Sequence, residues 1–194
     1  MIDKAKEIKK HSNTTFFVVD GHDLEDWISD NKVPLFDAVF SSAAMHWMKR
    51  DPVAVIRGIH AALKPKGRMV VEFGGFMNCV GVHTALIQAL KRRGHDGQAL
   101  SPWYFPSDMA YKALLEKNGF DVKEIALVPR PTELSTDIAG WVQTFGHPFL
   151  SVLDEQEQAK AIEEIVEEMR PGYQREDGTW FLMYVRLRVV ATKK

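Results

Sequence analysis

Two stretches decide the fold of this chain: residues 36–47, FDAVFSSAAMHW, and residues 63–75, LKPKGRMVVEFGG. The first begins as a strand, continues through the small residues Ser41 to Ala44 and ends in Met45-His46-Trp47. The second contains a nearly continuous apolar run, typical of a strand buried on both faces of a parallel sheet. Asp51-Pro52 between them predicts a helix, with Asp51 at the N-cap and Pro52 in the first turn. A strand–helix–strand unit of this kind indicates an α/β fold.

Further elements extend this unit in both directions. The β-branched and aromatic run from residue 14 to residue 19 predicts a strand that ends at Asp20-Gly21. We therefore expect a mixed sheet of about five strands flanked by helices, in one domain that spans residues 1–194. The remaining predicted strands are 121–128 and 180–192, and the predicted helices include 2–10, 80–93, 107–115, 138–152 and 155–169.

The charge balance restricts the kind of partner. Lys and Arg total 25 and Asp and Glu total 26, for a net charge of −1. There is no basic field to attract nucleic acid, so a small molecule or a protein is the expected partner.

The single cysteine, Cys79, excludes an intrachain disulfide, and no spacing of histidines predicts a metal site. No apolar run reaches the length of a signal peptide core or a membrane span. The sequence thus predicts a cytoplasmic protein with no membrane contact and no metal.

Three motifs together resemble the class I S-adenosylmethionine-dependent methyltransferases, in particular those of the trans-aconitate type. They are Asp20-Gly21-His22-Asp23-Leu24, the stretch 36–47 and the stretch 63–73. The resemblance implies a Rossmann-like methyltransferase fold. It also implies that Asp20, Gly21, Ser41 and Ser42 descend from a cofactor-binding site, although Ser42 stands where the family usually has asparagine.

By the family's order, the Gly-x-Gly loop and the acidic residue that binds the ribose should precede Met1. The resemblance therefore implies a truncated fold in which the central strands 1 and 2 are missing. Loss of two charge-assisted hydrogen bonds would weaken cofactor binding by roughly two to four orders of magnitude. We accordingly expect no cofactor, unless the missing half is supplied and S-adenosylmethionine binds.

The same gap predicts exposed sheet edges at residues 16–19 and 36–40. An exposed apolar edge invites pairing with another strand. Either the two segments pair directly, or two chains complete each other as a homodimer, which we expect.

The candidate catalytic residues are His46, Tyr104 and the pair His22/Asp23. His46 follows the carboxyl end of a strand, where open α/β sheets bind ligands. A structural role remains open for each: His46 as a residue that starts a helix, and Asp23 as a helix cap.

The candidate substrate-binding residues are Trp47, Trp103, Phe105 and Glu72. Trp103 to Phe105 lie between two prolines and predict either a lid over a pocket or a structural wedge. Glu72 would suit proton transfer unless it is paired with an arginine such as Arg68 or Arg188.

Three functions follow as hypotheses. The first is an enzyme derived from a methyltransferase that performs cofactor-independent acid/base chemistry, such as cyclisation, lactonisation or dehydration of a polyketide-like natural product. The second is a fragment of an S-adenosylmethionine-dependent small-molecule methyltransferase. The third is a non-catalytic pseudo-methyltransferase that pairs with a relative.

Overall fold

The computed structural model describes residues 2–8 and 13–194. These residues form a four-stranded mixed sheet in the order β1-β2-β4-β3. The strands are β1 (Phe36–Ser42), β2 (Leu63–Gly74), β3 (Phe120–Glu133) and β4 (Phe181–Lys193).

Helices connect and cover these strands. The parallel pair β1 and β2 is joined by a helix at Pro52–Ala62. Asp51 caps this helix by accepting a hydrogen bond from the N–H of Ala54 at 2.9 Å, as the sequence predicted. The helices are α1 (Ile2–Glu7), α2 (Leu24–Asp30), α3 (Pro52–Ala62), α4 (Val80–Arg92), α5 (Gly97–Leu100), α6 (Asp108–Lys117), α7 (Ile138–Phe145), α8 (His147–Leu150) and α9 (Glu155–Tyr173).

Strand β4 lies inside the sheet and pairs antiparallel with both β2 and β3. Because successive side chains of a strand point to opposite faces, its odd-numbered and even-numbered residues enter different environments. Leu187, Val189 and Ala191 pack into one core, together with residues of β2, α3 and α6. Leu182 packs on the opposite face into a second core formed by α4, α7 and α9.

The second core covers only one end of its face. Farther along the same face, Arg188 is exposed and Val190 is half-buried. The exposed aromatic side chain of Phe40 lies here on β1, beside Val70 of β2, along a broad groove. We call the end around Leu182 and Tyr184 the covered end, and the end around Phe40, Arg188 and Val190 the bare end.

Two expectations about the N-terminal region are wrong. Residues 14–19 belong to no helix or strand, so the sheet has four strands instead of about five. They also do not pair with residues 36–40. Phe17 and Val18 are instead 56% and 83% exposed, and Phe17 packs against Trp27 with ring centroids 4.9 Å apart. Without a neighbouring strand, β propensity alone does not hold this segment in a sheet.

The predicted first helix is observed at Ile2–Glu7, and its expected continuation to residue 10 falls partly outside the described residues. Among the helices of the described ranges, none combines the length and the apolar character that a membrane crossing needs.

Candidate active site

A cavity of about 160 Å³ opens beyond the carboxyl ends of the parallel strands β1 and β2. This is the position where open α/β sheets bind their ligands. Its walls are mainly aromatic, and they come from segments that are far apart in the sequence. The lining residues are Ala43, His46, Trp47, Asn78, Cys79, Trp103, Phe105, Trp141, Phe145, Tyr184 and Arg186.

His46 lies in a short 3-10 turn, Met45–Trp47, directly after β1. The N–H of Gly74 donates a hydrogen bond to its Nδ1 at 3.2 Å. Nδ1 is therefore an acceptor, and the proton of the neutral ring belongs on Nε2. Burial, together with the positive charge of Arg186, lowers the pKa of His46 to about 4. At neutral pH this imidazole donates a hydrogen bond but carries no charge.

Trp103 is the centre of the aromatic wall and is buried. Its ring lies within 6.0 Å of the rings of Trp47, His83, Phe105, Trp141 and Phe149. It stacks on Phe105 with an interplanar angle of 20°. Trp103 thus belongs to the second core as well as to the pocket, so this wall is fixed by packing.

Asn78 and Cys79 form the floor of the cavity. The side-chain oxygen of Asn78 accepts a hydrogen bond from the N–H of Val185 at 2.9 Å, which ties the floor to β4. Burial raises the pKa of the Cys79 thiol to about 12. Because the thiolate is the nucleophilic form, Cys79 is an unreactive wall residue at neutral pH.

Arg186 and Tyr184 reach the cavity from β4. The guanidinium carbon of Arg186 lies 4.6 Å from the centroid of the Tyr184 ring. The Tyr184 hydroxyl accepts a hydrogen bond from the indole N–H of Trp141 at 2.6 Å, and this bond locks α7 onto the sheet. Arg186 makes no salt bridge with any described residue, and its Nε is buried without a partner.

Sequence reasoning brought out four of the lining residues and missed others. His46, Trp47, Trp103 and Phe105 meet in the cavity. Arg186 and Tyr184 were not considered, although the alternation of the last strand already put an arginine and a tyrosine on the same face.

The other candidate residues lie elsewhere. Tyr104 points into a small space beside Met45 and Met48, and only its N–H approaches the site, donating to the His46 carbonyl at 2.9 Å. Glu72 lies on the bare end, where Arg188 donates to it at 2.5 Å and Arg130 lies 3.9 Å away. Glu72 is therefore paired with Arg188, one of the two arginines that the sequence offered.

His22 and Asp23 do not form a pair. The His22 ring lies 2.6 Å from Asp20 instead, and Asp23 makes no capping hydrogen bond, which contradicts its expected role as a cap. Arg50 lies 3.3 Å from the second Asp20 oxygen. The candidate catalytic residues His46, Tyr104, His22 and Asp23 are thus not brought together in one site.

Comparison with known proteins identifies the class. A family profile described as a methyltransferase domain matches residues 1–71. The protein C70.08c of Schizosaccharomyces pombe, described as an uncharacterized methyltransferase, is 35% identical over 202 residues, which cover 100% of this chain and 75% of that protein. This similarity establishes that the chain belongs to the methyltransferase family.

Solved structures agree at the level of the fold. A candidate methyltransferase from Bacillus halodurans C-125 matches 98% of this chain and 76% of its own, with a TM-score of 0.57 and 12% identity. Loganic acid methyltransferase, solved with SAH, matches 82% of this chain and 62% of its own, with a TM-score of 0.53 and 12% identity. At these identities the similarity describes the fold alone.

Proposed function

We propose that this chain supplies the acceptor pocket of a small-molecule methyltransferase. The observation that carries the proposal is the aromatic cavity at the carboxyl ends of β1 and β2, where this fold class binds ligands. An apolar cavity of roughly 150 Å³ holds a molecule the size of benzene. The cavity of about 160 Å³ therefore suits a small planar substrate or one ring of a larger one.

The pocket residues bind and orient the substrate. Neutral His46 offers Nε2–H as a hydrogen-bond donor, because Nδ1 is already occupied by Gly74. The aromatic rings of Trp103 and Phe105 exclude water and restrict the substrate to one plane. No described side chain of the cavity is a carboxylate that would act as a general base.

The methyl donor of the family, S-adenosylmethionine, fits the described residues only in part. Asp20 is one of the four residues that the resemblance assigns to the cofactor site, but its oxygens are already engaged by the N–H and ring of His22 and by Arg50. Ser41 and Ser42 stand on β1, whose outer edge has no neighbouring strand among the described residues. A complete donor site needs groups beyond these residues.

That partial fit favours a second candidate, the cofactor-independent enzyme. Under this hypothesis the cavity itself orients a reactive substrate for cyclisation, lactonisation or dehydration. The candidate is weakened by His46, since an imidazole with a pKa of about 4 and an occupied Nδ1 is poorly suited to proton transfer at neutral pH.

A single assay separates the two candidates. The purified chain is incubated with a library of small planar acids and alcohols, with and without S-adenosylmethionine that carries a radiolabelled methyl group. A methyltransferase places the label in a small molecule, whereas the second candidate converts a substrate without the donor. Absence of conversion in both arms would overturn both enzymatic proposals.

A matched pair of tryptophan variants locates the reaction. Trp47 lines the cavity, whereas Trp27 packs against Phe17 away from it. Trp47→Ala is expected to reduce conversion at least about tenfold by removing substrate contacts, and Trp27→Ala should leave it unchanged. Equal effects of both variants would argue against this cavity as the acceptor site.

The proposed assembly is a homodimer through the outer edge of β1. Antiparallel pairing of two copies about Val39 places Asp37 opposite Ser41 and Phe40 opposite Ala38, so no like charges meet. An exposed apolar edge of this kind favours pairing with a second strand. The aromatic side chains of Phe36 and Phe40 would then continue the bare end of one copy into the other.

Light scattering after size exclusion tests the dimer. Phe40→Lys is expected to yield a monomer. Met109→Lys, at a position that is 79% exposed on α6, serves as the control and should leave the dimer intact. A wild-type monomer at micromolar concentration would contradict the proposal.

A further inference from the structure

We propose that Arg186 makes the cavity a site for a planar molecule that carries a single carboxylate. The inference rests on the proposed function, because it takes the aromatic cavity as the substrate site. It goes further in naming the chemical class of the ligand and the residue that selects it.

The first argument is the uncompensated charge of Arg186. No described acidic residue forms a salt bridge with it, and its Nε is buried without a hydrogen-bond partner. A buried donor without a partner is unfavourable, and Arg186 as a whole is half-buried, so water solvates its charge only in part. Arg188, two residues along the same face, contrasts with it because Glu72 neutralises that side chain.

The second argument is the direction in which Arg186 is held. Its guanidinium lies over the Tyr184 ring, and Tyr184 is fixed by the hydrogen bond from Trp141. Stacking on an aromatic face leaves the edge of the guanidinium free for a carboxylate, which it binds with two parallel N–H donors. Arg186 also lines the cavity, so that edge is available to a ligand there.

The third argument is the number of charges. Arg186 is the one permanently charged side chain among the residues that line the cavity in the described part of the chain, and His46 is neutral at physiological pH. One cation balances one carboxylate. A ligand with three carboxylates would place two uncompensated charges among tryptophan and phenylalanine rings, at high cost.

The shape of the cavity completes the description. Its aromatic rings are fixed by mutual packing, with Trp103 stacked on Phe105 at 5.6 Å. Such walls favour a flat, conjugated ligand over a branched one. Benzoate combines a planar ring of suitable size with one carboxylate, and we use it as the probe.

The test compares benzoate with benzamide, its neutral isostere, and with citrate, a tricarboxylate. Binding is followed through the indole N–H signals in nitrogen-15 NMR spectra. Benzoate is expected to shift the signals of Trp47, Trp103 and Trp141, which line the cavity, and not those of Trp27 and Trp180. Its affinity should exceed that of benzamide by about 10- to 100-fold, the effect of a charge-assisted hydrogen bond.

Two variants provide the matched control. Arg186→Gln is expected to lower benzoate affinity about 10- to 100-fold and leave benzamide binding unchanged, whereas Arg188→Gln should leave both within about twofold. If benzamide binds as tightly as benzoate, or if citrate binds more tightly than benzoate, the carboxylate inference is overturned and the pocket proposal stays intact. If no probe shifts the three cavity signals, the pocket proposal itself fails.

Discussion

The two ends of one sheet face differ in what lies above them. At the covered end, Leu182 and Tyr184 of β4 pack beneath α4, α7 and α9 and the aromatic wall around Trp103. At the bare end, Phe40 is 75% exposed and Arg188 is paired with Glu72 at the surface. Arg186 stands between them, on the same strand and the same face, as the last position that reaches the cavity.

The two ends surround the same type of side chain with different partners. The same side chain, arginine, occurs at 186 and 188. At 188 it has a carboxylate partner and water, so it contributes little beyond a surface ion pair. At 186 it has no acidic partner among the described residues and its Nε is buried, and these two facts are the basis for the proposed carboxylate site.

The largest expected effect comes from the covered end. Trp103→Ala removes a buried ring that contacts five other aromatic rings. We expect the free energy of unfolding to fall by about 3–5 kcal/mol, as for other large core truncations. Urea denaturation followed by circular dichroism measures it. A loss below about 1 kcal/mol would mean that the covered end is loosely packed.

A somewhat smaller effect concerns pH. Burial lowers the pKa of His46 from 6.5 to about 4 in the folded chain, so the unfolded chain binds this proton at a higher pH than the folded chain does. The contribution of this group to the free energy of unfolding is therefore fully present above pH 6.5. As the pH drops from 6.5 towards about 4, the free energy of unfolding falls by up to about 3 kcal/mol.

The measurement for this prediction is urea denaturation between pH 4 and pH 7, for the wild type and for His46→Asn. Asparagine keeps an acceptor for the Gly74 N–H but does not titrate. The variant should lose much of the slope, whereas His147→Asn, at an exposed position outside the cavity, is the control variant and should keep it. An unchanged slope in His46→Asn would mean that the imidazole is solvated in the folded chain.

The smallest expected effect comes from the bare end. Phe40→Ala removes a ring that is 75% exposed, so the monomer should lose no more than about 0.5 kcal/mol. Denaturation at low protein concentration measures this value. A loss of unfolding free energy close to that of Trp103→Ala would contradict the difference between the two ends, because it would mean that another element covers the bare end in solution.

The sequence predicted the local parts of this architecture well. The strand–helix–strand unit, the cap at Asp51 and the helix start at Ser107 depend on neighbours in the chain, and each was confirmed. Residues 14–19 were wrongly predicted as a sheet strand, because a strand requires a pairing partner that local composition does not reveal.

The site was predicted only where its signal was local. His46 and Trp47 follow β1 directly, and Trp103 and Phe105 stand between prolines. The importance of Arg186 depends on the lack of an acidic partner among the described residues, on Tyr184 beside it and on the cavity that it lines. Those relations arise from the pairing of β4 inside the sheet, and no spacing in the sequence contains them.

The cavity is lined by residues from distant parts of the chain, and this affects the order of folding. The contacts within the unit β1–α3–β2 join residues that are close in the sequence. The cavity, in contrast, brings together Ala43 and Arg186, which are far apart in the sequence. Long loops are closed late, because their closure costs more entropy before any contact is gained. We therefore expect the strand–helix–strand unit to form early and the contacts between Ala43 and Arg186 to form last, so that the pocket becomes competent for ligand only in the final step of folding.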